Sequence, residues 1–439
     1  MNHTSFKIAA AALAVASALS STAYAGGFQL TEQSALALGR AYAGVGVDGT
    51  DVSGMYYNAA TMTLHPGTQV QFGGVGVGLN LEYVAKDGEK NNGRAKEEVI
   101  PHGFISHQIN DSTWIGLAIT VPYGLATDYG DNWSGKDHGT KAEITVINFN
   151  PNVAWKATDT LSLGAGLALQ YVDATFGVGA NTPIGNIHSE YTATDFTWGF
   201  NVGLMWQPVE NLRFGLSYRS ETKHATNGDL TISGTNGNGQ NSIDGTYNAS
   251  VTVSGPAWAM ATAAWDVNDY LSLYATFRWA DWSSFSSLTT TSNELTTAVY
   301  GVATSNPTLA GGYTLAGGYK AVFDQLKNID NDWKDTYLMS VGYDLRVNSF
   351  WTLRGGIAYE TSPIDDKTKR TAIIPDADRW WFAIGSSFHW TKDFQTDIGF
   401  AHLHGVHERS LYDRTSGEEV GRYRHLDAYL LGVQMQYRF

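Results

Sequence analysis

Cysteine is absent from the chain, so disulfides and thiolate metal centres are excluded. Proline is sparse, at 10 residues. Positive charge is scarce as well: 28 Lys and Arg against 42 Asp and Glu leave a net charge of -14. A surface of that sign does not bind nucleic acid phosphates. Beyond residue 25, no apolar run reaches the ~20 residues that a membrane-crossing helix needs. That excludes a helical membrane protein but not a membrane barrel, which shows lipid only alternate side chains. Glycine is plentiful, with 48 residues, and aromatic residues make up 13%.

The N-terminus reads as an export signal. Lys7 precedes an apolar stretch from Ile8 to Leu19, and Ala23-Tyr24-Ala25 gives a small-x-small cleavage pattern. The stretch is too short to remain as a helical anchor. The expectation is a signal peptide over 1–25 and a mature chain beginning at Gly26.

At the other end, Leu431, Val433, Met435, Tyr437 and Phe439 alternate with Gly432, Gln434, Gln436 and Arg438. That is a strand with one apolar face. A soluble sandwich could contain such a strand. Behind an export signal, the terminal aromatic residue is similar to the signal read by outer-membrane barrel assembly machinery, a partner expected on that basis.

The alternation recurs. Clear runs cover 115–123, 161–171, 196–206, 212–218, 271–279, 337–345, 351–359, 380–388 and 394–400, and weaker ones 68–83, 99–109, 142–155 and 251–265. With the terminal strand the count is fourteen, an even number, as bacterial barrels have. Six connections are tight: Asn110-Asp111, Thr158-Asp159, Val209-Glu210-Asn211, Asn268-Asp269, Asn348-Ser349 and Thr391-Lys392-Asp393. They alternate with seven long ones, the longest near 220–250 and 281–335. Short periplasmic turns and long outer loops are the outer-membrane pattern, with both barrel ends in the periplasm. Trp114, Trp155, Trp206, Tyr218, Trp279 and Trp351 lie near strand ends, where aromatic girdles form.

Three strands break phase. Gly73-Gly74 in the first and the step from Ile144 and Val146 to Ile147 and Phe149 in the fourth suggest bulges. Pro122 in the third cannot donate to a ladder, so pairing should fail there. Residues 26–67 are Gly-rich and partly helix-compatible, and are expected to form a separate segment that hangs below the barrel or fills it.

The run Gly27-Phe28-Gln29-Leu30-Thr31-Glu32-Gln33-Ser34, continuing to Leu38-Gly39-Arg40-Ala41-Tyr42-Ala43-Gly44, resembles the N-terminal plug of the FadL family. So do Pro122-Tyr123-Gly124-Leu125-Ala126-Thr127, Leu216-Ser217-Tyr218-Arg219-Ser220, Trp282-Ser283, Arg354-Gly355-Gly356-Ile357-Ala358 with Ser362-Pro363, and Ile374-Pro375-Asp376-Ala377-Asp378-Arg379-Trp380-Trp381. The likeness spans the mature chain.

It implies an all-β fold, a 14-stranded antiparallel transmembrane β-barrel over 68–439 closed by an N-terminal luminal hatch over 26–67. It implies passive uptake of long-chain fatty acids or similar hydrophobic molecules, with sideways exit through a gap beside an inward kink of the third strand. On this resemblance Phe28 contacts the inner ligand, and Lys334 or Arg379 meets its carboxylate. The lateral gate comprises Val121, Pro122, Tyr123 and Gly124 with the hatch motif Asn58, Ala59 and Ala60.

The sequence departs from the family in three places. The hatch motif is usually Asn-Pro-Ala. Thr175 and Phe176 stand where an Arg is expected, in a short connection over 173–195. The connection over 286–332 is long. Members carrying aromatic hydrocarbons need no carboxylate partner and are the nearest alternative. An aqueous porin and an adhesin or phage receptor are alternatives of other kinds.

The expected setting is the outer membrane with its lipopolysaccharide, and the expected state a monomer without cofactor. No metal site is assigned: His402, His404 and His407 read as solvated loop histidines, and Asp365-Asp366 and Asp376 with Asp378 as exposed acidic loops rather than Ca²⁺ ligands. Gly73-Gly74-Val75-Gly76-Val77-Gly78 is not followed by a phosphate-binding helix. No Ser/His/Asp set is evident, so an enzyme is not expected.

Overall fold

The computed structural model describes residues 26–93, 98–182, 185–235, 242–305, 328–407, 409–413 and 416–439. The expected signal segment 1–25 lies outside them. Fourteen antiparallel staves close into a barrel. They are β1 (Thr68–Ala85), β2 (Glu98–Asn110), β3 (Thr113–Asp128), β4 (Lys141–Lys156), β5 (Leu161–Thr182), β6 (Gly185–Val209), β7 (Leu212–Arg219 and Thr222–Thr235), β8 (Gly245–Gly255 and Trp258–Asp266), β9 (Leu271–Ala280), β10 (Thr336–Arg346), β11 (Trp351–Glu360), β12 (Arg379–His389), β13 (Phe394–Gly405) and β14 (Glu419–Arg438). Pairing of β1 with β14, from Gln69↔Arg438 to Ala85↔Gly421, removes the last free edge.

The alternation has the expected cause. In β14, Leu431, Val433, Met435 and Tyr437 face outward, while Gln434 and Gln436 are buried inside. Outward Trp155, Trp206 and Trp265 mark the tight-turn end, and Tyr337, Trp380 and Tyr429 the opposite end. Trp114 is not in a girdle. It faces the lumen, where its indole N–H donates to the His65 carbonyl at 2.9 Å.

Several expectations need correction. Residues 173–195 are not a loop: β5 and β6 stay paired through Asp173↔Thr194 to Thr182↔Gly185. Much of 220–250 is likewise ladder, from Thr222↔Gly255 to Ile232↔Gly245. The stave over 251–265 is split at Pro256, which has no N–H for the ladder. Gly73-Gly74 carries no slip, whereas the pairing of β4 with β3 does shift register within the Ile144–Phe149 step, at Ile147. Gly73 and Gly74 pair in register with Gln434 and Val433 on one side and His102 and Pro101 on the other. What changes is the apolar face. Phe72 points to lipid, whereas Val75 and Val77 point into an interior that is itself apolar at that height.

Residues 26–67 fill the lumen. Two short helices, α1 (Ala35–Leu38) and α2 (Gly54–Tyr57), and a 3₁₀ turn over Ala59–Leu64 are wholly or largely buried. The Ser34 hydroxyl caps α1, accepting from Ala37 N at 3.0 Å. The hatch reaches opposite walls: Ala35 N donates to Gln434 of β14, and Gly44 N to Thr276 of β9. Buried Arg40 pairs with Asp48 and with Asp344 of β10, and lies 4.0 Å over the Tyr274 ring. Breaking such a buried pair costs about 3–5 kcal/mol, so these contacts hold the hatch in the barrel.

Candidate functional site

The ladder between β2 and β3 stops at Gly103↔Ile119. Above it β2 continues against β1, while β3 turns inward and buries every residue from Thr120 to Leu125. Against β4 the register jumps between Thr120 and Tyr123, which leaves Val121 and Pro122 opposite one residue, Ile147. This is the bulge Pro122 predicts.

The hatch supplies the lost partners. Leu30 N donates to the Pro122 carbonyl at 2.8 Å, and Gly124 N to the Phe28 carbonyl at 3.0 Å. Gln33 completes the seam through its side chain, donating to the Val121 carbonyl at 2.7 Å and accepting from Val121 N at 3.2 Å. The structure therefore brings Val121, Pro122, Tyr123 and Gly124 together with Phe28.

Phe28 sits in an aromatic box. Its ring centroid is 4.8 Å from Trp282, 5.4 Å from Phe285, 6.0 Å from Tyr123 and 6.3 Å from Trp333. The three edge-to-face pairs, with Tyr123, Trp282 and Phe285, add about 0.5–1.5 kcal/mol each beyond burial. Gly27 makes the fit, with φ +73°, and a Cβ there would lie 2.7 Å from Trp333 and 2.8 Å from Trp282. Trp282, Phe285 and Trp333 went unnoticed in the sequence as site residues because they lie between β9 and β10, where no periodicity marks them.

A buried charged frame adjoins the box. Arg278 and Arg379 both pair with Glu360, at 2.7 and 3.2 Å, and Arg379 also with Asp376 at 3.1 Å. Gly27 N donates to Asp376 at 3.1 Å. Arg379 is thus already matched by two carboxylates. The hatch residue Glu32 is buried nearby, and neither carboxyl oxygen has a hydrogen-bond partner. Burial pushes its pKa up to about 7.

Two placements differ from the expectation. Lys334 follows Trp333 of the box, but its side chain is 65% exposed and pairs with Asp365, so it belongs to the outer mouth rather than the inner box. Asn58, Ala59 and Ala60 do not face the β3 break. Asn58 donates to the carbonyls of Gly46 and Leu204, at 3.0 and 2.9 Å, and caps the 3₁₀ turn by accepting from Ala60 N. The motif is seated on β5 and β6 because Gly164 and Gly203 let it approach: a Cβ at Gly164 would meet Ala60 N at 2.3 Å, and one at Gly203 would meet Asn58 Oδ1 at 2.1 Å.

The other constellations are held by their neighbours. His407 pairs with Asp378 at 2.9 Å, apart from His402 and His404, which face Asp427 at 3.9 and 2.7 Å. Asp376 serves Arg379 and Gly27, and Asp378 accepts from the Tyr359 hydroxyl at 2.8 Å.

Arg219 is buried in the lumen, 4.6 Å from the Tyr56 ring centroid and 5.7 Å from that of Trp258. The sequence showed it only within the block Leu216–Ser220.

Residues 16–439 match the family model described as outer membrane protein transport protein (OMPP1/FadL/TodX). The chain is similar to a long-chain fatty acid transport protein of Escherichia coli, at 27% identity over 98% of both chains. It is also similar to a 47 kDa outer membrane protein of Pasteurella multocida, at 26% identity over 98% of this chain and 97% of that one. Among solved structures, a FadL homologue of Pseudomonas aeruginosa superposes with a TM-score of 0.79 at 21% identity, covering 94% of this chain and 100% of that chain. The Pseudomonas putida toluene transporter TodX gives 0.69 at 16% identity, covering 93% of this chain and 99% of that chain.

Proposed function

Because the chain belongs to the OMPP1/FadL/TodX family of outer membrane transport proteins, we propose that it takes up long-chain fatty acids or similar hydrophobic molecules and releases them sideways. It resides in the outer membrane and transports hydrophobic molecules across it. The ligand class and the route are our reading.

One observation carries it: Phe28 is caged by four aromatic side chains at the place where β3 leaves β2. An apolar ligand gains as much as Phe28 does from that box, so exchange of one for the other has little net cost. Displacing Phe28 also strains the Phe28–Gly124 and Leu30–Pro122 hydrogen bonds, which are the contacts covering the break. Ligand binding and opening are thereby linked. Beyond the break lies hydrocarbon, and a hydrophobic molecule leaving there never crosses water. Such uptake is passive and energy-independent.

The test is uptake by a deletion strain complemented with this gene. Complementation should restore uptake of oleate, and a bulky Gly124→Trp variant should fold but not restore it. Full uptake by that variant would rule out the sideways route. A second reading, an aromatic hydrocarbon as ligand, is favoured by the neutralisation of Arg379 by Glu360 and Asp376. Toluene uptake in the same strains decides between the two.

A further inference from the structure

Four buried arginines in the lumen have carboxylate partners. Arg40 has Asp48 and Asp344, Arg278 has Glu360, Arg354 has Asp344 and Asp397, and Arg379 has Glu360 and Asp376. Arg219 is as deeply buried, at 1% exposure, yet among the described residues no carboxylate reaches it. One nitrogen, Nη2, donates to the Tyr56 carbonyl at 2.9 Å and to Asn150 Oδ1 at 3.0 Å. The other two, Nε and Nη1, have no hydrogen-bond partner. The rings of Tyr56 and Trp258 flank the guanidinium and fix its plane without supplying an anion.

An uncompensated buried cation is costly. A fold that pairs Arg40, Arg278, Arg354 and Arg379 with carboxylates and leaves this one unmatched carries an open anion position. Nε and Nη1 open on different sides of the guanidinium, and each offers an anion a charge-assisted hydrogen bond. The setting links these donors to the box. Arg219 is cross-strand partner to Trp258. Two residues before Trp258, the Pro256 carbonyl accepts from the Tyr123 hydroxyl at 3.1 Å, and the Tyr123 ring touches Phe28.

We propose that Arg219 receives the carboxylate of a long-chain acid, whose apolar tail then lies along Tyr56, Trp258 and Tyr123 toward the β3 break. This rests on the transport reading above and names the ligand class within it. It assigns the head-group contact to Arg219, in place of Arg379, which is already matched, and of Lys334, which lies at the mouth.

The experiment uses the purified full chain in detergent, with oleate and oleyl alcohol as probes. They share a tail and differ in the head group. In the wild-type protein oleate should bind the more tightly. Arg219→Gln should weaken oleate by about tenfold or more, the loss of a charge-assisted hydrogen bond, and leave oleyl alcohol within about twofold. Arg219→Lys should recover part of the oleate affinity. The unliganded Arg219→Gln barrel should melt no lower than wild type, because an unpaired buried charge has been removed, while the upward shift of melting temperature by oleate should shrink.

Equal oleate affinity in wild type and Arg219→Gln overturns the assignment and leaves the transport reading standing. A wild-type protein that binds neither probe overturns both. A variant that melts well below wild type and loses both probes alike marks Arg219 as a structural prop, and overturns the assignment too.

Discussion

Gly124 donates its backbone N–H to the carbonyl of Phe28 at 3.0 Å, so the start of the hatch acts as a strand for a stave that has lost its neighbour. The barrel wall and its plug therefore share one hydrogen-bonded seam, and movement of either is felt by the other.

Gln33→Leu removes both hydrogen bonds to Val121, whose backbone is buried. Each orphaned backbone group costs about 1–3 kcal/mol. Amide exchange at Leu30 and Gly124 should accelerate by at least about tenfold, with strands far from the seam unaffected. Unchanged exchange would show that the seam is held elsewhere.

Hatch stability should fall with rising pH. Glu32 holds its proton to about pH 7 in the folded hatch, against 4.5 for an ordinary glutamate. The native state therefore binds more protons than the unfolded one between those values. Its stabilisation is full below about pH 4.5 and is lost as pH rises through 7, by up to roughly 3 kcal/mol. Hatch amide exchange compared at pH 5 and pH 8 measures this. Glu32→Gln should flatten the dependence over that window.

Gly164→Val adds a side chain where Ala60 N lies 2.3 Å from the built Cβ. Valine suits a strand, so the barrel should assemble and the hatch should not seat. Planar-bilayer recordings should then show ion conductance well above that of the wild type. A silent, ligand-binding variant would mean the hatch adjusts.

Lys334→Ala removes an exposed ion pair with Asp365, and such pairs contribute about 0–1 kcal/mol. Equilibrium oleate affinity should stay within about threefold. Phe28→Ala, which empties the aromatic box, should destabilise hatch docking by about 3–5 kcal/mol, read as faster exchange across 26–34.

The barrel was legible in the sequence because lipid enforces period 2 on each stave, and Pro122 announced the broken ladder because it lacks a donor. Where lipid ends, the signal ends. Residues 172–195 and 222–250 carry Thr, Gly, Asn and Asp on both faces, yet the backbone ladder continues through most of them. The pair Gly73-Gly74 misleads for a related reason. At Gly73-Gly74 the apolar face changes sides because the upper lumen is apolar, and no residue is inserted. The box was hidden because Trp282 and Trp333 are brought together only by the path between β9 and β10. Arg219 falls on the inward phase of β7, opposite to Phe214, Leu216 and Tyr218, and that phase was the one available hint. Its lack of a counter-charge is a property of three dimensions.

The length of β6 has a consequence for the cell surface. Its 25 residues, at about 3.3 Å each, measure roughly 80 Å along the strand, and crossing a bilayer takes about 9–11 residues. Nearly half of this stave, residues 185–195 above the lipid-facing run from Phe196 to Trp206, therefore stands among the surface sugars, and β5 stands with it. Main-chain hydrogen bonds tie that spire together. A protease added to intact cells should leave the paired stretches of β5 and β6 uncut.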